Sequence, residues 1–233
     1  MSEPLHDVVF LIDVDNTLLD NDRIVADLRE HLVRAFGAEC AALYWTRLEQ
    51  LREQLGYADY LGALQLYRQD VAHRGVEAHA LLQVSGFLVD YPFRERVFPG
   101  AFEALAQLAR SGPTVILSDG DVVFQPRKIQ RSGLWEAVEG RVLIYVHKEA
   151  MLDEVRRLFP ARHYAIVDDK PRILGALKAA WGAGVTTVFP RQGHYAFDAA
   201  EVAKHPTPDV TVDRIGDLAR TNIAGWTSSR SQP

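Results

Sequence analysis

The chain has 233 residues, enough for one substantial core with a smaller inserted or appended unit. Hydrophobic residues make up 48% and charged residues 24%, the balance of a soluble globular protein. A formal charge of -5 gives no general attraction to nucleic acid or to an anionic membrane, while a small anionic substrate could still be held at a local positive site. The single cysteine, Cys40, rules out an internal disulfide and fits a reducing compartment; its apolar setting, AECAALYW, predicts a buried structural thiol. No apolar stretch is long enough to span a bilayer, and MSEPLHD lacks the basic segment and apolar run of a secretory signal, so the cytoplasm is the expected location.

The first element is an unbroken apolar run, Val8 to Ile12, which ends at two carboxylates, Asp13 and Asp15, with Asn16 and Thr17 behind them. Such a run predicts a strand at the centre of a parallel sheet, covered on both faces. Its carboxyl end lies at the edge where open α/β sheets do their chemistry. Like charges so close need a cation or a shared proton, and a hard divalent ion is the simpler answer. Asp15, Asn16 and Thr17 equally suit an Asx-turn or a helix cap, so this stretch by itself leaves both readings open.

From Asp20 the pattern turns helical: Ile24, Leu28, Leu32 and Phe36 recur every four residues, and Gly37 ends the helix. Further helices are predicted from about Glu39 to Leu55, Tyr60 to Ala72 and Ala78 to Val89. An ordinary crossover needs far fewer residues, so 19–95 should form an inserted helical subdomain, with 1–18 and 96–233 as the α/β core. The aromatics of the insertion, Tyr44, Trp45, Tyr57, Tyr60 and Tyr67, are expected mainly to pack. After a Pro-Gly turn and a short helix comes a second strand, Thr114 to Leu117, ending at Ser118, Asp119 and Gly120. FQPRKIQRSGLWEAV reads as helical, and RVLIYV as a third strand ending at His147 and Lys148. EAMLDEVRRLF is a helix, and a fourth strand, Tyr164 to Val167, ends at Asp168 and Asp169. The helix PRILGALKAAWGAG leads to a fifth strand, VTTVFP. Residues 196–204 read as helical, TVDRIGDLART as a last short strand and helix, and TSSRSQP as a loose tail. The alternation predicts an α/β fold, a doubly wound parallel sheet with helices on both faces.

Four strand ends thus carry charged or small polar residues: Asp13 with Asp15, Ser118 with Asp119, Lys148, and Asp168 with Asp169. On a parallel sheet they share one edge and define one site. Several carboxylates suit Mg²⁺, while a lysine and a hydroxyl suit phosphate oxygens. In this order the segments resemble the motifs of the haloacid dehalogenase-like (HAD) superfamily, mostly phosphohydrolases with an aspartate nucleophile. DxDx[TV] is matched by Asp13 to Thr17, the Ser or Thr of the second motif by Ser118, the lysine by Lys148, and the acidic pair by Asp168 and Asp169. The resemblance covers about residues 8–190 and implies a Rossmann-like core with a helical cap of the C1 type.

It also implies roles. Asp13 would attack phosphorus to give an aspartyl-phosphate, and Asp15 would protonate the leaving oxygen and later activate water. Mg²⁺ would be held by the Asp13 side chain, the Asp15 backbone carbonyl, Asp169, and Asp168 directly or through water. Ser118 and Lys148 would bind phosphoryl oxygens, joined by backbone N–H groups around Asp119, and Thr17 would fix the first loop. The expected function is therefore Mg²⁺-dependent hydrolysis of a small phosphorylated metabolite, with no nucleic-acid or membrane partner and no sign of oligomeric state. The alternatives are a phosphoglucomutase-like transfer, a phosphate-binding protein without turnover, and halide release from a 2-haloacid. The last is disfavoured because the family's dehalogenases lack the second aspartate and need no metal. His147 is expected to cap its strand rather than orient a phosphate, and Arg127 and Lys128 to be solvated helix surface rather than substrate-binding groups.

Overall fold

Alternate residues of a strand face opposite sides of its sheet, and the first strand uses both sides. In the computed structural model, which describes residues 5–72, 76 and 78–226, β1 (His6–Ile12) buries every residue from Val8 onward. Val8, Phe10 and Ile12 join one apolar core and Val9 and Leu11 another. β2 (Thr114–Asp119), β3 (Val142–Tyr145), β4 (Ala161–Val167), β5 (Val185–Pro190) and β6 (Val210–Val212) complete a six-stranded sheet in the order β3-β2-β1-β4-β5-β6. Every pairing is parallel. The strands run outward from β1 to β3 on one side, and then from β4 to β6 on the other. The order therefore reverses beside β1 and β4, the position where open α/β sheets form a crevice.

Between β1 and β2 lie α1 (Asn21–Leu55), α2 (Tyr60–Asp70) and α3 (Ala78–Asp90), then α4 (Ala101–Ala109). α1 is broken at Gly37, whose φ of 77° and ψ of 163° leave the helix. The break folds its halves together, because the Arg29 guanidinium stands 4.5 Å from the Trp45 ring centroid. In a straight helix those residues would be about 24 Å apart along the axis. α1 starts at the cap Asp20, which accepts from the Arg23 amide at 2.9 Å, and α2 at the cap Asp59, which accepts from the Gly62 amide at 2.7 Å. Leu28, Leu32, Tyr44, Leu64, Tyr67 and Val84 join the core beneath the Phe10 face of the sheet. Cys40 is half-buried against that core rather than fully enclosed.

After β2 come α5 (Phe124–Ser132) and α6 (Leu134–Ala137). α7 (Leu152–Leu158) and α8 (Pro171–Trp181) flank β4 in sequence, and α9 (His194–Phe197) and α10 (Ala199–Val202) follow β5. α4, α5 and α6 cover the Phe10 face; α7 and α8 cover the Leu11 face. The predicted doubly wound sheet is thus present, with β6 as a short added edge. The predicted tail, TSSRSQP, lies outside the described residues. Among the described residues no helix is long and apolar enough to cross a membrane.

Candidate active site

Register brings the strand ends together. Ile12 pairs with Val167, so the next residues, Asp13 and Asp168, emerge side by side, and the Asp13 amide donates to the Val167 carbonyl at 2.9 Å. On the other side Ser118 pairs with Ile144 and Asp119 with Tyr145, which carries Lys148 to the same edge. The Asp119 carboxylate accepts from the Lys148 amide at 2.8 Å and pins that loop. The Lys148 side chain then runs inward, fully buried, with its Nζ 2.5 Å from Asp13 Oδ1, 2.6 Å from Asp168 Oδ2 and 3.2 Å from the Leu117 carbonyl. Thr17 Oγ1 accepts from the Asp169 amide at 3.0 Å, tying the first loop to the fourth.

One ammonium does not satisfy this floor. Asp13, Asp168 and Asp169 are all buried and can each offer an oxygen within 4.8 Å of the others. Among the described residues Asp13 Oδ2 and both Asp169 oxygens have no hydrogen-bond partner. Asp168 Oδ2 is paired with Lys148 in charge but lies off the hydrogen-bonding direction. Burial raises the Asp168 carboxyl to about 6, with Lys148 opposing and Asp13 reinforcing the rise. Burial also pushes Asp169 well above the carboxylate range, helped by Asp168 and Asp13. For Lys148, burial disfavours the charge, but Asp13, Asp168 and Asp119 outweigh it and shift the ammonium upward. Orphaned, buried, acceptor-only oxygens of this kind are the donor set a hard divalent cation takes.

Asp15 faces elsewhere. Its carboxylate stands outside the Asp13, Asp168 and Asp169 cluster and opens on a cleft of about 680 Å³ between the sheet edge and the helical insertion. Lys128 Nζ sits 2.5 Å from its Oδ1, and Gln125 Nε2 is 3.3 Å from its Oδ2 and 2.8 Å from Ser118 Oγ. Trp45, Tyr57, Tyr60, Arg29 and Arg52 line the insertion side of the cleft, whereas Tyr44 and Tyr67 are buried in packing. A second groove, about 960 Å³ and more apolar, opens between Phe98, His194 and Phe197; none of the strand-end carboxylates lines it.

Several expectations need correction. Lys128 is not solvated surface: it is 2% exposed and held on Asp15. Arg127 does stay half-exposed, spending its guanidinium on the Val89 carbonyl and Asp90 at the end of α3. His147 is exposed and packs toward the insertion; a Cβ on Gly56 would stand 2.8 Å from its Nε2. The Gly120 amide, one of the N–H groups expected around Asp119, is committed to the Tyr145 carbonyl at 2.9 Å. Sequence reasoning passed over Gln125, Gln192 and Lys170. Gln192 donates to the Asn16 and Thr17 carbonyls at 3.2 and 2.7 Å and so braces the first loop from β5. Lys170 adds a second cation whose charge faces Asp13, Asp168 and Asp169. Its position directly after the acidic pair was the available signal; Gln192 left none.

A family model, haloacid dehalogenase-like hydrolase, matches residues 8–180. The chain belongs to that family and is a hydrolase of HAD-like fold. A crystal structure carrying the class name haloacid dehalogenase-like hydrolase, from Burkholderia xenovorans LB400, is 64% identical with a TM-score of 0.86, over 93% of this chain and 99% of that one. The L-2-haloacid dehalogenase of Xanthobacter autotrophicus is 21% identical with a TM-score of 0.56, over 93% and 98%. The HAD-hydrolase YfnB of Bacillus subtilis, solved bound to magnesium, is 16% identical with a TM-score of 0.59, over 92% and 98%. The last two share the fold. No match was found among curated proteins.

Proposed function

We propose that the chain is a Mg²⁺-dependent phosphomonoester hydrolase acting on a small phosphorylated metabolite, with residues 19–95 as the cap over its cleft. The observation that carries this reading is the pairing of two unlike acidic centres on one loop. Asp13 belongs to a buried carboxylate cluster with orphaned oxygens, and Asp15 faces the cleft beside it. Asp13, Asp168 and Asp169 would hold Mg²⁺, which supplies positive charge to the anionic substrate when bound. Asp13 attacks phosphorus through a carboxylate oxygen as the ester P–O bond breaks, and the leaving oxygen takes the proton held by Asp15. Asp15 then accepts a proton from water, which displaces Asp13 from phosphorus and releases orthophosphate. Lys148 keeps the Asp13 carboxylate fixed for attack, and the buried Ser118 hydroxyl, held by Gln125, would bind a phosphoryl oxygen.

Halide release makes less use of these groups. A halide departs as an anion and needs no proton, which leaves Asp15 without work, and it gives the orphaned cluster no cation to hold. The test is hydrolysis of 4-nitrophenyl phosphate with Mg²⁺, with a chelator, and by the variant D13N, followed by kcat/KM across phosphorylated metabolites. Activity should vanish with chelation and fall by at least about 10⁴-fold in D13N. Halide release from 2-chloropropionate without any phosphatase activity would overturn the reading.

A further inference from the structure

We propose that Lys128 is the positioning residue for Asp15: it holds Oδ1 and thereby makes Oδ2 the oxygen that carries the proton to and from the substrate. The inference rests on the phosphomonoesterase reading. A lysine on a helix after a strand would ordinarily extend into water. Lys128 instead buries its whole length, and its ammonium reaches Asp15 Oδ1 at 2.5 Å and Asn21 Oδ1 at 3.4 Å.

The two oxygens of Asp15 are thereby made unequal. Oδ1 receives a short, charge-assisted bond, while among the described residues Oδ2 has only the long 3.3 Å contact to Gln125, whose amide makes its closer bond to Ser118 at 2.8 Å. An ammonium offers three donors and no acceptor, so a proton on Oδ1 would face a donor and displace the ion pair. A proton on Oδ2 leaves that pair in place. Oδ2 therefore gives its proton to the ester oxygen as the P–O bond breaks, and takes one from the attacking water in the second half of the reaction.

α5 is built for this. Phe124, Gln125 and Lys128 lie at i, i+1 and i+4, so Gln125 and Lys128 share one face three residues apart, with Phe124 one turn below Lys128. Tyr60, at the start of α2, packs its ring 5.6 Å from Phe124, and Lys128 reaches Asn21, the first residue of α1. The insertion and the acid/base thus meet on the same lysine.

The experiment measures kcat/KM, which reports the phosphorylation half-reaction, for ethyl phosphate and for 4-nitrophenyl phosphate with saturating Mg²⁺. An alkoxide needs the proton from Asp15; 4-nitrophenolate leaves without it. In K128M the value for ethyl phosphate should fall on the order of 100-fold or more, and for 4-nitrophenyl phosphate about tenfold or less. K128Q, which fills most of the same space, should show the same ester dependence if K128M does not fold. Equal losses on both esters, or no loss, overturn the proposal. If the wild type hydrolyses neither ester, the phosphomonoesterase reading fails instead. The crystal structure of K128M then decides the positioning claim: Asp15 displaced from Gln125 supports it, and Asp15 unmoved overturns it.

Discussion

Asp13 and Asp15 leave the same strand end two positions apart, and each has a buried lysine at 2.5 Å, Lys148 for the first and Lys128 for the second. Their surroundings then diverge. Asp13, 2% exposed, shares Lys148 with Asp168 and stands beside Asp169, so carboxylate outnumbers cation there. Asp15, 26% exposed, is paired with Lys128, which among the described residues is shared with no second carboxylate, and it opens on the cleft. An excess of buried negative charge calls for a metal ion, whereas a matched pair at a solvent-accessible mouth suits proton transfer. One loop thus supplies two kinds of acid because different elements supply the cations.

That contrast can be broken experimentally. The largest effect should be on the pH dependence of the metal-free protein. The folded Asp168 value of about 6 lies above the unfolded value near 3.9, so the folded chain binds the extra proton between them. Stability is then full below the unfolded value and declines as the pH rises through 6, by on the order of 2–3 kcal/mol, read from urea unfolding with a chelator present. D168N should make this slope shallower, leaving the part that the raised Asp169 carboxyl supplies, and D15N should keep it whole; the reverse result would erase the distinction. Next in size is stabilisation by Mg²⁺, about 2.7 kcal/mol at 100 times its dissociation constant. Thermal unfolding should show it in the wild type and in D15N, and D169N should abolish it. The smallest effect sharpens the Asp13 side alone: T17V removes the acceptor of the Asp169 amide and should cost about 1–2 kcal/mol in unfolding free energy. A T17V protein as stable as wild type would mean that the tether does not hold the two loops together.

The strands and most helices were legible because each is long enough to show its period, and a run such as Val8 to Ile12 has no polar residue to confuse it. The strand ends were legible as well, since parallel topology forces them to one edge. Gln125 and Lys128 were not. FQPRK on its own reads as a polar helix start, and only the approach of α5 to the first loop turns that face inward. Phe124, Gln125 and Lys128 on one helical face were the available hint, but an apolar neighbour beside two polar residues describes many solvated helices too. The last short strand expected in TVDRIGDLART is present as β6, three residues whose bounds the partner strand rather than local preference decides.

The break in α1 has a bearing on substrate range. Arg29 reaches the cleft from the half before Gly37, and Trp45, Leu48 and Arg52 from the half after it. Two torsion angles at Gly37, with the Arg29–Trp45 contact, therefore direct both walls toward the cleft. A Cβ at position 37 would meet nothing within 4 Å, so a side chain there acts through the strained backbone alone. The walls of the cleft are thus directed in part from a position that does not itself line it.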